Sequence, residues 1–177
     1  MRNRKLLTVG LLIFLLFIGC QEDKKMNNDY TLPNQIISDF QLNESVSGRR
    51  LYSLVARRAV VWENESRIDV ETLAVIFYDD SDRPYSLLTA DNGTVWMKTE
   101  DLVSRGNVRV ETGDSTVLTT DSLAWSNSRR VIHTGAKVTI ESPRGVLAGA
   151  GLVADAQLSK IEIMSEVRGS SSYEFQP

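Results

Sequence analysis

The feature that most constrains this chain is an internal repeat of about 30 residues, a period that indicates a stacked architecture. Each copy opens with a leucine, and the leucines are 34, 30 and 29 residues apart. Units of this size cannot bury an apolar face alone and must stack on their neighbours. The chain is therefore predicted to be a row of similar units. Three copies end in tryptophan and the fourth is degenerate: Leu54–Trp62, Leu88–Trp96, Leu118–Trp125 and Leu147–Ala154.

A second element lies between the copies and has the pattern of a β-strand. The segment Ser104–Glu111 recurs 29 residues later, with Gly106 matched by Gly135. In both segments apolar residues alternate with polar ones, a period of two that is typical of half-buried antiparallel strands. Glycine inside a strand marks a bulge or a bend, and bends at matched positions curve every unit alike. We therefore predict an all-β fold of stacked antiparallel hairpins, curved into a trough or a flattened jelly roll, with one helical turn around Gln35–Asp39.

The first 20 residues have the pattern of a bacterial lipoprotein signal. A basic start at residues 2–5 precedes an apolar run from Leu6 to Ile18, and Cys20 is the only cysteine. The run is shorter than the roughly 20 residues of a membrane-spanning helix and fits the apolar region of a signal peptide. Cleavage before Cys20 would leave this residue to carry lipid and would place the rest of the chain outside the cytoplasm. The alternative is a short transmembrane anchor.

The sequence divides into four parts. Residues 1–19 are assigned to the signal peptide, and residues 20–35, which are polar and lack periodicity, to a lipidated flexible tether. Residues 36–168 are assigned to the folded domain and residues 169–177 to a loose tail. With Cys20 carrying lipid no disulfide is possible, so the fold is expected to depend on its hydrophobic core alone.

Composition and motifs argue against catalysis, metal binding and nucleic-acid binding. Removal of residues 1–19 changes the net charge from −3 to −6, and no basic stripe remains to bind nucleic acid. The single histidine, His133, has no second imidazole or thiol to complete a metal site. No nucleophile motif or phosphate loop is present, so we expect no enzyme activity and no cofactor. Three arginine pairs are interpreted as solvated charges, with contact to phosphates or lipid headgroups as the alternative: Arg49-Arg50, Arg57-Arg58 and Arg129-Arg130.

Five segments of the chain are each weak as motifs, but their order and spacing together are characteristic of one protein family. They are Asp39–Ala56, Leu88–Ala90, Leu102–Val108, Leu118–Trp125 and Gly149–Leu152. Together they resemble the LptC family, the periplasmic bridge component of lipopolysaccharide export, over residues 39–167. The related bridge protein LptA and the periplasmic domain of LptD share the same repeat.

The resemblance implies a twisted, open β-jelly roll that accepts lipopolysaccharide from an inner-membrane ABC transporter and passes it to the next bridge protein. The implied partners are lipopolysaccharide, the permease subunits of the transporter and an LptA-like bridge protein joined through terminal strands. The implied location is the periplasm, with the lipid on Cys20 holding the protein to the inner membrane. Many family members have an N-terminal transmembrane helix instead, so the role of that helix is not carried over. The alternative function is a structural or assembly envelope lipoprotein whose β domain binds protein partners only.

The in-phase apolar residues of the strand patterns are the candidates for a lipid-binding wall. Acyl chains need such a lining because each exposed methylene costs about 0.8 kcal/mol in water. The same residues also suit ordinary core packing, and an error of one residue in any strand turns its side chains outward. The predicted joints are Leu158–Val167 toward the bridge protein, and Phe40–Ser45 or Leu51–Ala56 toward the transporter. The wall candidates are Tyr52, Leu54, Ala56, Val70, Leu73, Val75, Phe77, Leu88, Leu102, Val108, Val110, Leu118, Leu123, Trp125, Val138, Ile140, Leu152, Ile161 and Ile163.

Overall fold

Residues 35–171 form one sheet of nine antiparallel strands. The computed structural model describes residues 32–171, and these strands belong to a single unit, residues 33–177. Strand order follows chain order from one edge to the other, so each strand pairs with its neighbours in sequence. The prediction of an all-β fold built from antiparallel hairpins is confirmed. The strands are β1 (Gln35–Val46), β2 (Arg49–Trp62), β3 (Arg67–Tyr78), β4 (Pro84–Trp96), β5 (Leu102–Thr112), β6 (Val117–Ser126), β7 (Val131–Ser142), β8 (Gly145–Ala154) and β9 (Ile161–Ser171).

The internal repeat corresponds to pairs of strands. The four leucine-led copies lie in β2, β4, β6 and β8, and the second element lies in β5 and β7. One repeat is therefore one hairpin, as the sequence predicted. The copies are not equivalent at their ends: Trp62 and Trp96 come eight residues after their leucines, whereas Trp125 comes seven residues after Leu118. Each of these strands also has one extra residue at an interruption near its middle, so an odd separation returns a side chain to the face of its leucine. Trp125 therefore lies in the core, where it is 3% exposed, whereas Trp96 is turned outward and is 42% exposed.

The two ends of the folded part differ from the sequence assignment. The helical turn expected around Gln35–Asp39 is wrong, because these residues begin β1, where Ile37 lies opposite Ala59 and packs against the core. Strand β9 continues to Ser171, so three residues assigned to the loose tail belong to a strand. Cys20 and the signal peptide, residues 1–19, lie outside the described residues, as do most of the tether and residues 172–177. Within the described part of the chain, no helix has the length and apolar character needed to cross a bilayer.

The strands are interrupted near their middles, and the interruptions line up across the sheet. The ladder between β5 and β6 breaks between Arg105 and Val108, and the ladder between β7 and β8 breaks between Thr134 and Lys137. Gly106 and Gly135 lie in these two gaps, as predicted. We call this line the crease, and it runs through Asp39, Thr72, Asp91, Gly106, Asp121, Gly135, Gly151 and Glu166.

Glycine is required at one point of the crease. Gly106 has φ +77°, and a Cβ atom there would lie 2.7 Å from Oδ2 of Asp91. A side chain would therefore meet both backbone strain and a steric clash. The carboxylate that blocks it is held in place by Asn107, whose Nδ2 donates a hydrogen bond of 2.7 Å to the same oxygen.

The sheet folds over along the crease into two layers. The first layer contains the strand halves that meet at the turn between β1 and β2, and the second contains the halves that meet at the turn between β2 and β3. Strands β3 and β6 are not neighbours in the sheet, yet the rings of Phe77 and Trp125 are 4.9 Å apart. This contact joins the first layer to the second. The space between the layers holds the hydrophobic core.

The outer surface is polar and held by ion pairs. Arg49 lies 3.1 Å from Asp80, and Arg50 lies 3.0 Å from Asp82, which links two turns at the same end of the sheet. Arg57 and Arg58 both reach Glu71. These pairs are largely exposed, and exposed pairs contribute less than about 1 kcal/mol each. The geometry fits the interpretation of the first two arginine pairs as surface charges.

Candidate functional site

The predicted wall residues face the space between the two layers. Those from Tyr52 to Leu152 are all buried, with at most 5% of each residue exposed. Ile161 and Ile163 on β9 are half-buried and pack against the same cluster. Cross-strand pairing places residues of neighbouring strands on the same face of the sheet. Leu54 lies opposite Val75, which lies opposite Leu88, so all three face inward. The facing of these residues follows from the burial, whereas their binding of lipid stays a prediction.

Several members of the interior escaped sequence reasoning. In β4 the inward residues are Ser86, Leu88, Ala90, Gly93 and Val95, so the spacing is two, two, three and then two. The step of three falls at the crease, where one added residue restores the inward face. Strict alternation loses the second half of each strand. Ala90 and Ala154 keep the alternation of Leu88 and Leu152, so the step of three does not explain their omission. The buried apolar residues absent from the predicted wall are Ala59, Val61, Ala90, Val95, Ile132, Ala154, Ala156 and Leu158.

An aromatic cluster joins the layers. Phe77 contacts Tyr52 at 6.0 Å, Trp125 at 4.9 Å and Tyr85 at 6.3 Å between ring centroids. Burial raises the pKa of Tyr85 to about 12 and raises the pKa of Tyr52 still further. Both phenols are therefore neutral at physiological pH, and the cluster presents no charge to the interior.

The layers also meet through polar groups opposite the crease, along a line that we call the seam. The Tyr52 hydroxyl, in the first layer, donates to the carbonyl of Glu100, in the turn after β4, at 3.4 Å. Within the second layer, Asn127 Nδ2, in the turn after β6, donates to Glu100 Oε2 at 2.6 Å. Glu44 of β1 reaches the same carboxylate, and burial followed by the charge of Glu100 raises the pKa of Glu44. The raised pKa means that the Glu44–Glu100 contact weakens as pH rises and this carboxyl ionises.

The seam opens into a groove at the β9 end of the core. The groove has a volume of about 910 Å³. Ile140 and Leu147 line it from the first layer, and Leu158 and Ile161 line it from the other side of the seam. Arg144 and Asp114 also line it. Asp114 is engaged within its own turn, since its Oδ1 accepts hydrogen bonds from Thr112 Oγ1 at 2.5 Å and from the Thr116 amide at 3.1 Å. The apolar residues that line the groove also belong to the hydrophobic core or pack against it, so the groove adjoins the buried interior.

The sheet has two free edges within the described residues. Strand β1 pairs with β2 alone and strand β9 with β8 alone, and the ladder does not close between them. Of the two predicted first joints, Phe40–Ser45 lies in edge strand β1, whereas Leu51–Ala56 is wrong as an edge because β2 is paired on both sides. The other predicted joint, Leu158–Val167, includes most of β9. Met164 and Val167 of β9 are 64% and 57% exposed.

The described residues show no arrangement suited to metal chemistry. His133 lies on the outward side of β7, between Ala124 and Val153 of the neighbouring strands. Across residues 32–171 no cluster of three or more histidine, cysteine or acidic side chains is placed to hold a metal ion. What the arrangement offers instead is an apolar interior between two layers, a groove leading from it and two strand edges.

Comparison with known families gives one match. The family model described as "Lipopolysaccharide-assembly, LptC-related" matches residues 6–174, nearly the whole chain. No curated protein matches the chain.

Proposed function

The chain belongs to the LptC family of lipopolysaccharide-assembly proteins, and we propose that it is a membrane-anchored periplasmic bridge that receives lipopolysaccharide from an inner-membrane ABC transporter and hands it to the next bridge protein. Membership gives it a role in lipopolysaccharide transport and makes it a periplasmic envelope protein of a family that is not an enzyme family. The observation that carries the finer proposal is an apolar interior inside a sheet that is open at both edges.

The interior suits acyl chains by its chemistry. Each methylene that leaves water for an apolar lining contributes about 0.8 kcal/mol, so a chain of a dozen carbons is strongly favoured between the layers. The wall side chains contact one another in this structure, so lipid must displace contacts between the layers as it enters. The seam is the natural line of separation, because the strands themselves continue from one layer to the other through the crease, whereas no strand pairing crosses the seam.

Photocrosslinking tests the interior as the lipid site. A photoreactive residue at Phe77, Val108 or Val138 is expected to capture lipopolysaccharide in cells, because all three face the core. Val55 and Leu87 are matched controls: they are apolar, lie next to wall residues in sequence, and are 46% and 40% exposed on the outer face. Capture at the controls with none at the inward positions would contradict the proposal.

The free edges are proposed as the joints to neighbouring proteins. An unpaired strand edge accepts another strand by main-chain hydrogen bonding, and such pairing would continue the interior from one protein into the next. We assign β9 to an LptA-like bridge protein and β1 to the permease subunits of the transporter.

Charge on the β9 edge is expected to break the first of these joints. The double substitution Met164→Lys and Val167→Lys should reduce retention of the bridge protein by about tenfold or more, since lysine on an edge disfavours strand addition. Both residues are more than half exposed, so the fold should tolerate the change. The control is Val55→Lys with Leu87→Lys, on strands paired at both sides. Equal retention by both variants in a pull-down assay would refute the edge joint.

The lipid on Cys20 is proposed as the membrane anchor. Cys20→Ser is expected to leave the signal segment uncut and the chain without lipid. Mass spectrometry of the purified protein would detect both changes. A variant that is processed and fractionates with membranes like the wild type would contradict lipidation. A protein-only assembly role remains the other hypothesis, and the two unpaired edges and the family match do not favour it.

A further inference from the structure

Within residues 32–171, three polar groups that face the apolar interior have no hydrogen-bond partner. They are the hydroxyls of Ser86 and Ser104 and the indole Nε1 of Trp125. Ser86 is 5% exposed, Ser104 is fully buried and Trp125 is 3% exposed. Each belongs to an inward row, since Ser86 lies opposite Phe77, and Ser104 lies opposite Leu123.

The three groups surround one contact between the layers. Ser86 is in the first layer beside Phe77, whose ring lies 4.9 Å from that of Trp125 in the second layer. Ser104 is two residues from Leu102, the direct cross-strand partner of Trp125. Direct and diagonal cross-strand neighbours on one face are within reach of each other's side chains. The unpaired donors are therefore gathered where the layers touch.

Unpaired polar groups in an apolar core are costly, and most buried polar atoms in proteins have a partner. Alanine at the two serine positions would fill the same strand sites without that cost. The two hydroxyls thus lower the stability of the protein without ligand. This cost is offset if the hydroxyls gain hydrogen-bond partners when a ligand is bound. Indole Nε1 is a donor only, so the missing partner must be an acceptor, and hydroxyls can donate to the same kind of group.

We propose that Ser86, Ser104 and Trp125 form a polar clamp inside the wall that hydrogen-bonds the ester and amide carbonyls of an acylated lipid. This inference rests on the proposed function, since it assigns a recognition role within the same interior. Acyl chains fill the apolar wall on either side, while the carbonyl oxygens at their heads accept the three hydrogen bonds. The clamp therefore fixes how far the lipid slides along the interior and distinguishes acylated lipid from plain hydrocarbon.

The test is the double variant Ser86→Ala with Ser104→Ala in the full chain, measured with two probes. Affinity for lipopolysaccharide is expected to fall about 3- to 10-fold for each hydroxyl removed. Affinity for N-phenyl-1-naphthylamine, an apolar fluorophore without a carbonyl, should stay the same. The unfolding midpoint in urea should stay the same or rise, because two unpaired groups are gone.

Ser53→Ala is the matched control. Ser53 is also buried, but it lies on the opposite face of β2 and its Oγ donates to Asn43 Oδ1 at 2.6 Å. Its removal should lower the unfolding midpoint and leave both affinities unchanged, the reverse of the clamp variant. Unchanged lipopolysaccharide affinity in the clamp variant, a parallel loss for both probes, or a lowered midpoint would overturn the clamp. Failure of the wild type to bind lipopolysaccharide would overturn the proposed function itself.

Discussion

Phe77→Ala is expected to lower the free energy of unfolding by about 3–5 kcal/mol, the cost typical of truncating a buried aromatic side chain. Phe77 is 1% exposed and contacts rings on β2, β4 and β6. Its loss leaves a cavity where the two layers meet, and the strands around it are held by their ladders and cannot easily collapse into the space. The loss is a large fraction of the 5–15 kcal/mol that stabilises an ordinary domain.

Urea denaturation followed by tryptophan fluorescence measures this effect, since Trp125 lies against Phe77. The control is Ile36→Ala on edge strand β1, where the side chain is 58% exposed and the expected change is within about 0.5 kcal/mol. A Phe77→Ala loss no greater than that of the control would show that the two layers do not depend on the aromatic cluster.

Linking the two layers across the seam is expected to weaken lipid binding strongly. Glu44→Cys and Glu100→Cys place thiols on opposite layers at positions whose native carboxyls contact each other, and a short bismaleimide can join them. If lipid enters by separation of the layers, the linked protein should lose lipopolysaccharide affinity by about tenfold or more, the equivalent of 1.4 kcal/mol. The same protein before linking should bind normally, because both changes are at polar positions of the seam.

The matched control places the link within one layer. Arg58 and Glu71 are direct cross-strand partners on β2 and β3, and a link between Arg58→Cys and Glu71→Cys does not span the seam. Cys20 is the only native cysteine and carries lipid in the proposed protein, so the two new thiols are the ones free to react. Mass spectrometry reports the extent of linking, and a fluorescence titration reports affinity. Full binding by the seam-linked protein would exclude layer separation as the route.

The sequence predicted most of the fold because hairpins repeat in it. Alternation placed Leu54, Val75 and Leu88 on the inward face, and the matched glycines Gly106 and Gly135 indicated the bends. Such local signals survive in a sheet where each strand pairs with its neighbours in sequence, since little depends on distant segments.

What sequence reasoning missed depends on tertiary geometry. Ala90 and Gly93 are successive inward residues that lie three positions apart, and this spacing can be recognised only when the position of the crease is known. The first strand, around Gln35–Asp39, lacks a clear period because Ile36 and Ile37 are adjacent and only Ile37 packs against the core. Its pairing to β2 decided its conformation. The inward direction of Ser86 and Ser104 was also hidden, because a polar residue in an alternating pattern suggests the solvent face.

The order of strands in the sheet has a consequence for how the protein is made. Because each ladder joins consecutive strands, contact order is low for a β protein and loop closure is inexpensive at every step. A chain that emerges from a translocation pore with β1 first can add each later strand to the edge already formed. Folding can therefore keep pace with secretion. At each stage the growing sheet exposes one unpaired strand edge, to which the next strand of the chain adds.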